Sequence, residues 1–128
     1  MLCLVSAAPI DVKILKYFAS INIPIVECFG QSECTGPHLS NTLTDWKIGS
    51  CGRPLPGTVT KIDPETGELQ YSGRHIFAGY MGMEDITNEA VDSEGFLHSG
   101  DVVKVNLKRQ FISFIRVLLN FSNYNYLL

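Results

Sequence analysis

Apolar positions follow two rhythms along this chain, and the change of rhythm divides it. Leu2-Cys3-Leu4-Val5 is a continuous apolar run ending at Ser6-Ala7-Ala8-Pro9, the pattern of a buried strand. Asp11 suits a helix N-cap. From Val12 to Ser20, Val12, Ile14, Leu15, Phe18 and Ala19 gather on one face, with Lys13, Lys16 and Ser20 turned outward. Asn22 and Pro24 end that helix, and Ile25 to Phe29 is the next strand. Strand, helix and strand in this order predict a βαβ unit with parallel strands. Ligands of such sheets collect at the carboxyl ends of the strands, so Ser6–Pro9 and Phe29–Glu33 are expected at one edge, lining one pocket.

Residues 36–58 are rich in Gly, Pro, Ser, Thr and Asn and read as a long loop, with Gly52-Arg53-Pro54-Leu55-Pro56-Gly57 as a rigid turn. A period of two then takes over. Thr58 to Asp63 alternates, Asp63-Pro64-Glu65-Thr66-Gly67 is a hairpin turn, and Glu68 to Tyr71 is the returning strand. Ser72-Gly73-Arg74 turns again, and His75 to Tyr80 is aromatic and β-rich. Asp85 to Val91 fits one or two helical turns capped by Thr87 or Asp85. Asp92–Gly95 turns into Phe96–His98, and Val102–Val105 follows. The expected fold class is α/β: a βαβ unit of a larger parallel or mixed sheet, then a small antiparallel β assembly.

Composition narrows the class. A chain of 128 residues is one domain at most, and with 45% apolar residues it can bury a core. The net charge of −3 comes from scattered charges, which gives no basic stripe for nucleic acid and no acidic tail. Cys3, Cys28, Cys34 and Cys51 lack CxxC spacing and predict free thiols in a reducing compartment rather than a zinc site. The first ten residues lack a basic segment and are too brief for a signal peptide, and no apolar run reaches bilayer length. The expected location is the cytoplasm, with the periphery of the endoplasmic reticulum or another membrane as an extension.

Candidate chemistry concentrates in Cys28-Phe29-Gly30-Gln31-Ser32-Glu33-Cys34-Thr35-Gly36, directly after an apolar strand. Gly30 would let backbone approach an anion without a Cβ in the way. Ser32 and the loop N–H groups can donate to phosphate oxygens, Glu33 can hold magnesium, and Phe29 offers a flat face for a base. Standing alone, this stretch reads more readily as an ordinary strand-to-loop turn. His38, His75 and His98 show no matched carboxylate or second histidine in sequence, which favours structural or surface roles. Glu68 is read as bracing its hairpin, Arg53 and Arg74 as bracing turns or solvated, and nothing marks Cys28 or Cys34 as a lowered-pKa thiol.

Phe29–Glu33 resembles the Tyr-Gly-x-Thr/Ser-Glu motif of the adenylate-forming superfamily, and four further segments match in order. Ser6–Pro9 resembles its Ser-Gly-Ala-Ala-Pro loop, and Gly52–Gly57 its Gly-Lys/Arg-Pro-x-Pro-Gly turn. Gly67-Glu68-Leu69, Gly73 and Phe77–Tyr80 resemble its Gly-Glu-Leu/Ile…Gly…Phe-x-Gly-Tyr run. Gly95–Asp101 resembles Gly-Trp/Phe-Leu-His-Thr-Gly-Asp. Asn22-Ile23-Pro24, Ser-Glu-x-x-Gly-Pro-His and Met83-Glu84-Asp85 look most like bubblegum-type long-chain fatty acid–CoA ligases.

The resemblance implies MgATP-dependent adenylation of a carboxylate, then thioester formation with CoA. Long-chain fatty acid, ATP and CoA would be the partners, with no nucleic acid and an unknown oligomeric state. It implies that Phe29 stacks on adenine, that Ala7, Ala8 and Pro9 border the base, and that Gly30 and Gln31 lie against the nucleotide. Ser32 would bind the α-phosphate, Glu33 magnesium, and Asp101 the ribose hydroxyls, making Ser32 and Glu33 the catalytic pair.

The family's Ser/Thr-Gly-Thr-Thr-Gly phosphate loop, its hinge and its C-terminal domain with the catalytic lysine have no counterpart in the sequence. The expectation is therefore a partial AMP-binding domain over residues 1–105, inactive alone, and a divergent tail over 106–128. In that tail, Arg116 stands fifteen positions after Asp101, where the family has a nucleotide-contacting arginine, but without the preceding glycine. The tail fits a short amphipathic helix or a strand, and periodicity does not decide between them; as a helix, Phe111, Phe114, Ile115 and Leu118 would fall near one face, a candidate membrane-surface contact. Unpaired edges and an exposed apolar face would promote aggregation. The alternatives are a non-catalytic truncated product, a nucleotide- or partner-binding isoform, and a luciferase-like or peptide-synthetase adenylation enzyme.

Overall fold

The computed structural model describes residues 3–106 and 111–117; Leu2 of the first predicted strand and the tail from Leu118 to Leu128 lie outside them. Strand β1 (Cys3–Val5) and strand β2 (Ile25–Gln31) run parallel, with Val5 opposite Glu27, and helix α1 (Val12–Ser20) connects them. Asp11 caps α1 as expected, its carboxylate accepting the Lys13 N–H at 2.8 Å. The helix stops where Asn22 takes φ 62, a left-handed residue that asparagine tolerates. The βαβ unit is therefore present. Because β2 outlasts β1 in register, its last residues project beyond the β1 end.

The loop expected over residues 36–58 contains two strands. β3 (Gly36–Ser40) pairs antiparallel with β2, and β4 (Arg53–Pro54) pairs antiparallel with β3, so the first sheet has the order β1-β2-β3-β4. The rigid turn shrinks to residues 55–58, where the Thr58 N–H and hydroxyl both reach the Leu55 carbonyl. His38 and Leu39 are buried in β3, and their burial stabilises a strand that the glycines and prolines around it conceal.

The second sheet is the predicted antiparallel assembly, in the order β5-β6-β7-β8, from β5 (Val59–Ile62), β6 (Glu68–Ser72), β7 (Leu97–Asn106) and β8 (Phe111–Val117). The β5–β6 turn is built by Asp63, whose carboxylate accepts the Glu65 and Thr66 N–H groups at 2.8 Å. Those bonds hold the Asp63 carboxyl below its usual range. Two expectations fail nearby. His75 to Tyr80 forms turns and irregular backbone rather than a strand, because this segment bonds across to the β2 loop instead of along a sheet edge. Helix α2 (Glu84–Ala90) starts after Met83 with no side-chain cap; Thr87 instead donates its hydroxyl to the Met83 carbonyl at 2.8 Å.

Residues 111–117 are strand, paired along β7, so Phe111, Phe114 and Ile115 do not share a helical face and the helix-based membrane contact falls. The change of sequence pattern after Val105 is no break in the sheet. No helix among the described residues is long and apolar enough to cross a membrane.

The two sheets meet at a core of Cys34, Leu39, Leu69, Tyr71, Leu97, Val103 and Ile112. They are stitched at Ile112 of β8. Its carbonyl accepts the Cys51 N–H and the Ser50 hydroxyl, and its N–H donates to the Gly52 carbonyl. Gly52 must be glycine: its φ is 89, and a Cβ would lie 2.1 Å from the Ser40 carbonyl.

Candidate functional site

The β2 strand ends in a short 3-10 turn, Ser32–Cys34, and Thr35 in the left-handed region (φ 56) sends the chain back as β3. Cys34 is buried inside this turn. Its Sγ accepts the Gln31 N–H and donates towards the Gln31 and Gly36 carbonyls, so the cysteine pins the loop as a small polar hydrophobe. Gly30 also has a packing reason to be glycine. A Cβ there would lie 1.8 Å from the Gly36 carbonyl oxygen, so the missing side chain admits the returning β3 backbone.

Five hydrogen bonds fasten this loop to the second sheet and the segment after it. Tyr71 Oη donates to Gln31 Oε1 at 2.7 Å, and Gln31 Nε2 donates to the Ser99 carbonyl at 2.8 Å. Tyr80 Oη donates to Glu33 Oε1 at 2.6 Å, and the Phe77 N–H donates to the Glu33 carbonyl at 2.8 Å. Thr35 Oγ1 donates to the His75 carbonyl at 3.2 Å. Gln31 therefore spends both ends of its amide inside the protein, tying the end of β2 to β7 two residues before Asp101. Burial pushes the Tyr71 phenol up, and the Cys34 thiol and the charges of Glu33 and Asp101 push it further, so it remains a donor.

Asp101 is 5% exposed, and its N–H donates to Ser99 Oγ at 3.1 Å. The Cys51 thiol is raised to about 12, first by burial and then by the negative potentials of Glu27, Cys28 and Asp101. Phe29 is half-buried and meets Tyr71 edge-on, with centroids 6.3 Å apart. Ser32 is exposed at the start of the 3-10 turn. Ala7, Ala8 and Pro9 are exposed just past the β1 end, with Ala7 at φ 74, a left-handed conformation that costs an alanine about 1 kcal/mol. The parallel strands direct Ala7–Pro9 and the Ser32 turn to one edge, and Gln31 brings the Asp101 strand to the same loop. Arg116 lies on β8 opposite Val102 through its backbone.

The histidines have partners that their spacing in the sequence does not show, while buried His38 keeps a structural role. His38 has a second histidine after all: its Nδ1 lies 3.2 Å from His75 Nε2, and its Nε2 lies 2.8 Å from Thr60 Oγ1. It is fully buried and stacks on Tyr71 with centroids 4.1 Å apart. His98 has a matched carboxylate, Glu68 Oε2 at 3.0 Å from its Nδ1. These partners stand 37 and 30 residues apart: β6–β7 pairing brings Glu68 to His98, and the fold packs the His75 turn onto β3. Glu68 does brace its surroundings, since its Oε1 accepts the Gly100 N–H at 2.8 Å. Arg53 pairs with Asp45 at 2.9 Å at the surface. Sequence reasoning missed Tyr71 and Tyr80 as supports of the loop; an aromatic residue announces no hydrogen-bond partner until the fold supplies one.

No group of three or more His, Cys, Asp or Glu side chains that could hold a metal occurs among the described residues. A single carboxylate, Glu33, still fits magnesium, which takes one or two protein carboxylates and draws its other ligands from phosphates and water.

A family profile described as AMP-binding enzyme matches residues 1–81. The long-chain-fatty-acid–CoA ligase ACSBG2 of Xenopus laevis is 46% identical over 80% of this chain, and that of Gallus gallus is 44% identical over the same share. ACSBG1 of Rattus norvegicus is 39% identical over 78% of the chain. The chain spans 14% of the length of each of these three relatives. ATP-bound MatB from Rhodopseudomonas palustris superposes over 88% of the chain with TM-score 0.79 and 26% identity, covering 24% of that protein. The anthranilate CoA ligase AuaEII, solved with anthranoyl-AMP, has the same fold at TM-score 0.78 and 18% identity. The profile match and these bubblegum-type relatives put the chain in the AMP-binding, adenylate-forming enzyme family.

Proposed function

We propose that this chain is the nucleotide-holding part of a long-chain fatty acid–CoA ligase, and that alone it binds nucleotide without catalysing ligation. The observation that carries this reading is the Gln31 bridge, which ties the Phe29–Glu33 loop to the strand bearing buried Asp101. In that arrangement Phe29 and Ala7–Pro9 border adenine, Gly30 and Gln31 follow the nucleotide with their backbone, and Asp101 accepts the ribose hydroxyls. Ser32 donates to the α-phosphate. Glu33 is the protein's carboxylate for Mg2+, which would neutralise charge on the phosphate oxygens when bound. Catalysis in this chemistry rests on positioning and charge neutralisation, which fits a site braced by fixed hydrogen bonds. Arg116 is a candidate second contact to the nucleotide. We assign the fatty acid, CoA and the remaining catalytic groups to parts of the longer relatives that this chain does not span, and the free thiols support a cytoplasmic location.

Calorimetric titration of the chain with AMP tests the reading. The wild type should bind AMP. Asp101→Ala should lose two hydrogen bonds to a charged acceptor, weakening binding roughly tenfold or more. Release of pyrophosphate from ATP and a long-chain fatty acid should be undetectable. Absence of AMP binding overturns the nucleotide assignment, and pyrophosphate release overturns the inactivity.

A further inference from the structure

We propose that Tyr80 is a positioning residue for the Glu33 carboxylate, held in place by helix α2; the inference rests on the nucleotide reading above. The Tyr80 phenol reaches Glu33 across 47 residues, and at 2.6 Å the bond has the short length of a hydroxyl donating to an ionised carboxylate. It occupies Oε1 and leaves the second oxygen for a metal.

The donor is itself fixed from two sides. Its N–H donates to Thr87 Oγ1 at 2.9 Å, and Thr87 in turn donates that hydroxyl to the Met83 carbonyl at the start of α2. Its ring meets Phe77 edge-on at 4.8 Å, and the Phe77 N–H holds the Glu33 carbonyl. One segment, residues 77–80, thus restrains both the backbone and the side chain of Glu33. Gly79 lets it pass the helix: its φ is 137, and a Cβ there would meet Thr87 Cγ2 at 2.7 Å.

Without that partner, the half-buried Glu33 would lose more rotamer freedom on binding a metal. A carboxylate already held by a phenol has less to lose, and outer partners of metal ligands commonly contribute tenfold or more in metal affinity. The exposed α2, which buries no residue of its own, thereby acquires a function: it sets the tyrosine that sets the glutamate.

The test uses the whole chain, with Mn2+ as a paramagnetic probe titrated in the presence of ATP, and AMP binding without metal as the control. Tyr80→Phe keeps the ring and removes only the hydroxyl. It should weaken Mn2+ about tenfold while AMP affinity stays within about twofold. Thr87→Val leaves both partners of the bond in place and should give a smaller loss of the same kind, which keeps the test decisive if Tyr80→Phe does not fold. In a Glu33→Gln background, Tyr80→Phe should cost no further Mn2+ affinity. Unchanged Mn2+ affinity in both variants, or equal losses of Mn2+ and AMP, overturns the proposal alone. A wild-type chain that binds neither AMP nor ATP overturns the nucleotide reading and this proposal with it.

Discussion

His38 shows what a single buried side chain does for this molecule. It is fully buried between Tyr71 and His75 and hydrogen-bonded at both ring nitrogens. Burial lowers its pKa to about 4, and the neighbouring His75 adds to the shift. The folded state therefore holds His38 neutral, whereas the unfolded chain protonates it near the ordinary histidine value. Its contribution is fully present above about pH 6.5 and is lost as pH falls towards 4. The expected loss is on the order of 2–3 kcal/mol across that window. Urea unfolding at a series of pH values measures it, and His38→Gln should flatten the dependence. A wild-type stability that is level between pH 6.5 and pH 4 contradicts the buried neutral histidine.

The hairpin of β2, the Ser32–Cys34 turn and β3 is the element on which the site depends. Its closest approach is the Gly30–Gly36 crossing, beside a register shift between Phe29 and Gly30. Backbone stands where a Cβ would go, so Gly30→Ala must push the strands apart. A destabilisation of about 2–3 kcal/mol is expected, the range for forced overpacking. Thermal melting checks this, and an unchanged melting temperature would mean the strands part without cost. The same hairpin explains a failed expectation. Gly36 and Pro37 look like loop residues, yet β3 forms because Leu39 and His38 are buried and β2 and β4 supply partners on both sides. The converse holds for His75–Tyr80, whose residue types favour a strand. Their hydrogen bonds go to Glu33 and Thr87 instead, and a strand without a ladder does not form.

At the scale of the whole molecule, the two sheets differ in how well they are covered. The second sheet buries Leu69, Tyr71, Leu97 and Val103 against the first. The βαβ unit instead leaves Leu4, Val12, Ile14, Tyr17 and Ile21 at least 39% exposed, with Tyr17 at 63%. Only Leu15 of α1 is buried. An apolar surface of this kind on a free chain promotes association. Light scattering on the purified chain should find oligomers, and Tyr17→Glu combined with Ile21→Lys should shift it towards monomer. A wild-type chain that is monomeric throughout its soluble range would refute this.

Local pattern determined a good deal. The capped helix over Val12–Ser20, the parallel strands around it, the Asp63 turn and the antiparallel second half all follow from nearest-neighbour periodicity and turn chemistry. Motif spacing was enough to reach the family, because a glycine- and hydroxyl-containing loop after a strand keeps its order along the chain. The tertiary structure decided what depends on distant partners. It made β3 a strand, decided between helix and strand for 111–117, and gave His38 and His98 their partners. It also set Tyr71 and Tyr80 on the loop that carries Gln31 and Glu33. The physical reason is common to all of these. Hydrogen bonds between side chains tens of residues apart, and burial between two sheets, are properties of pairing and packing that no local window of residues contains.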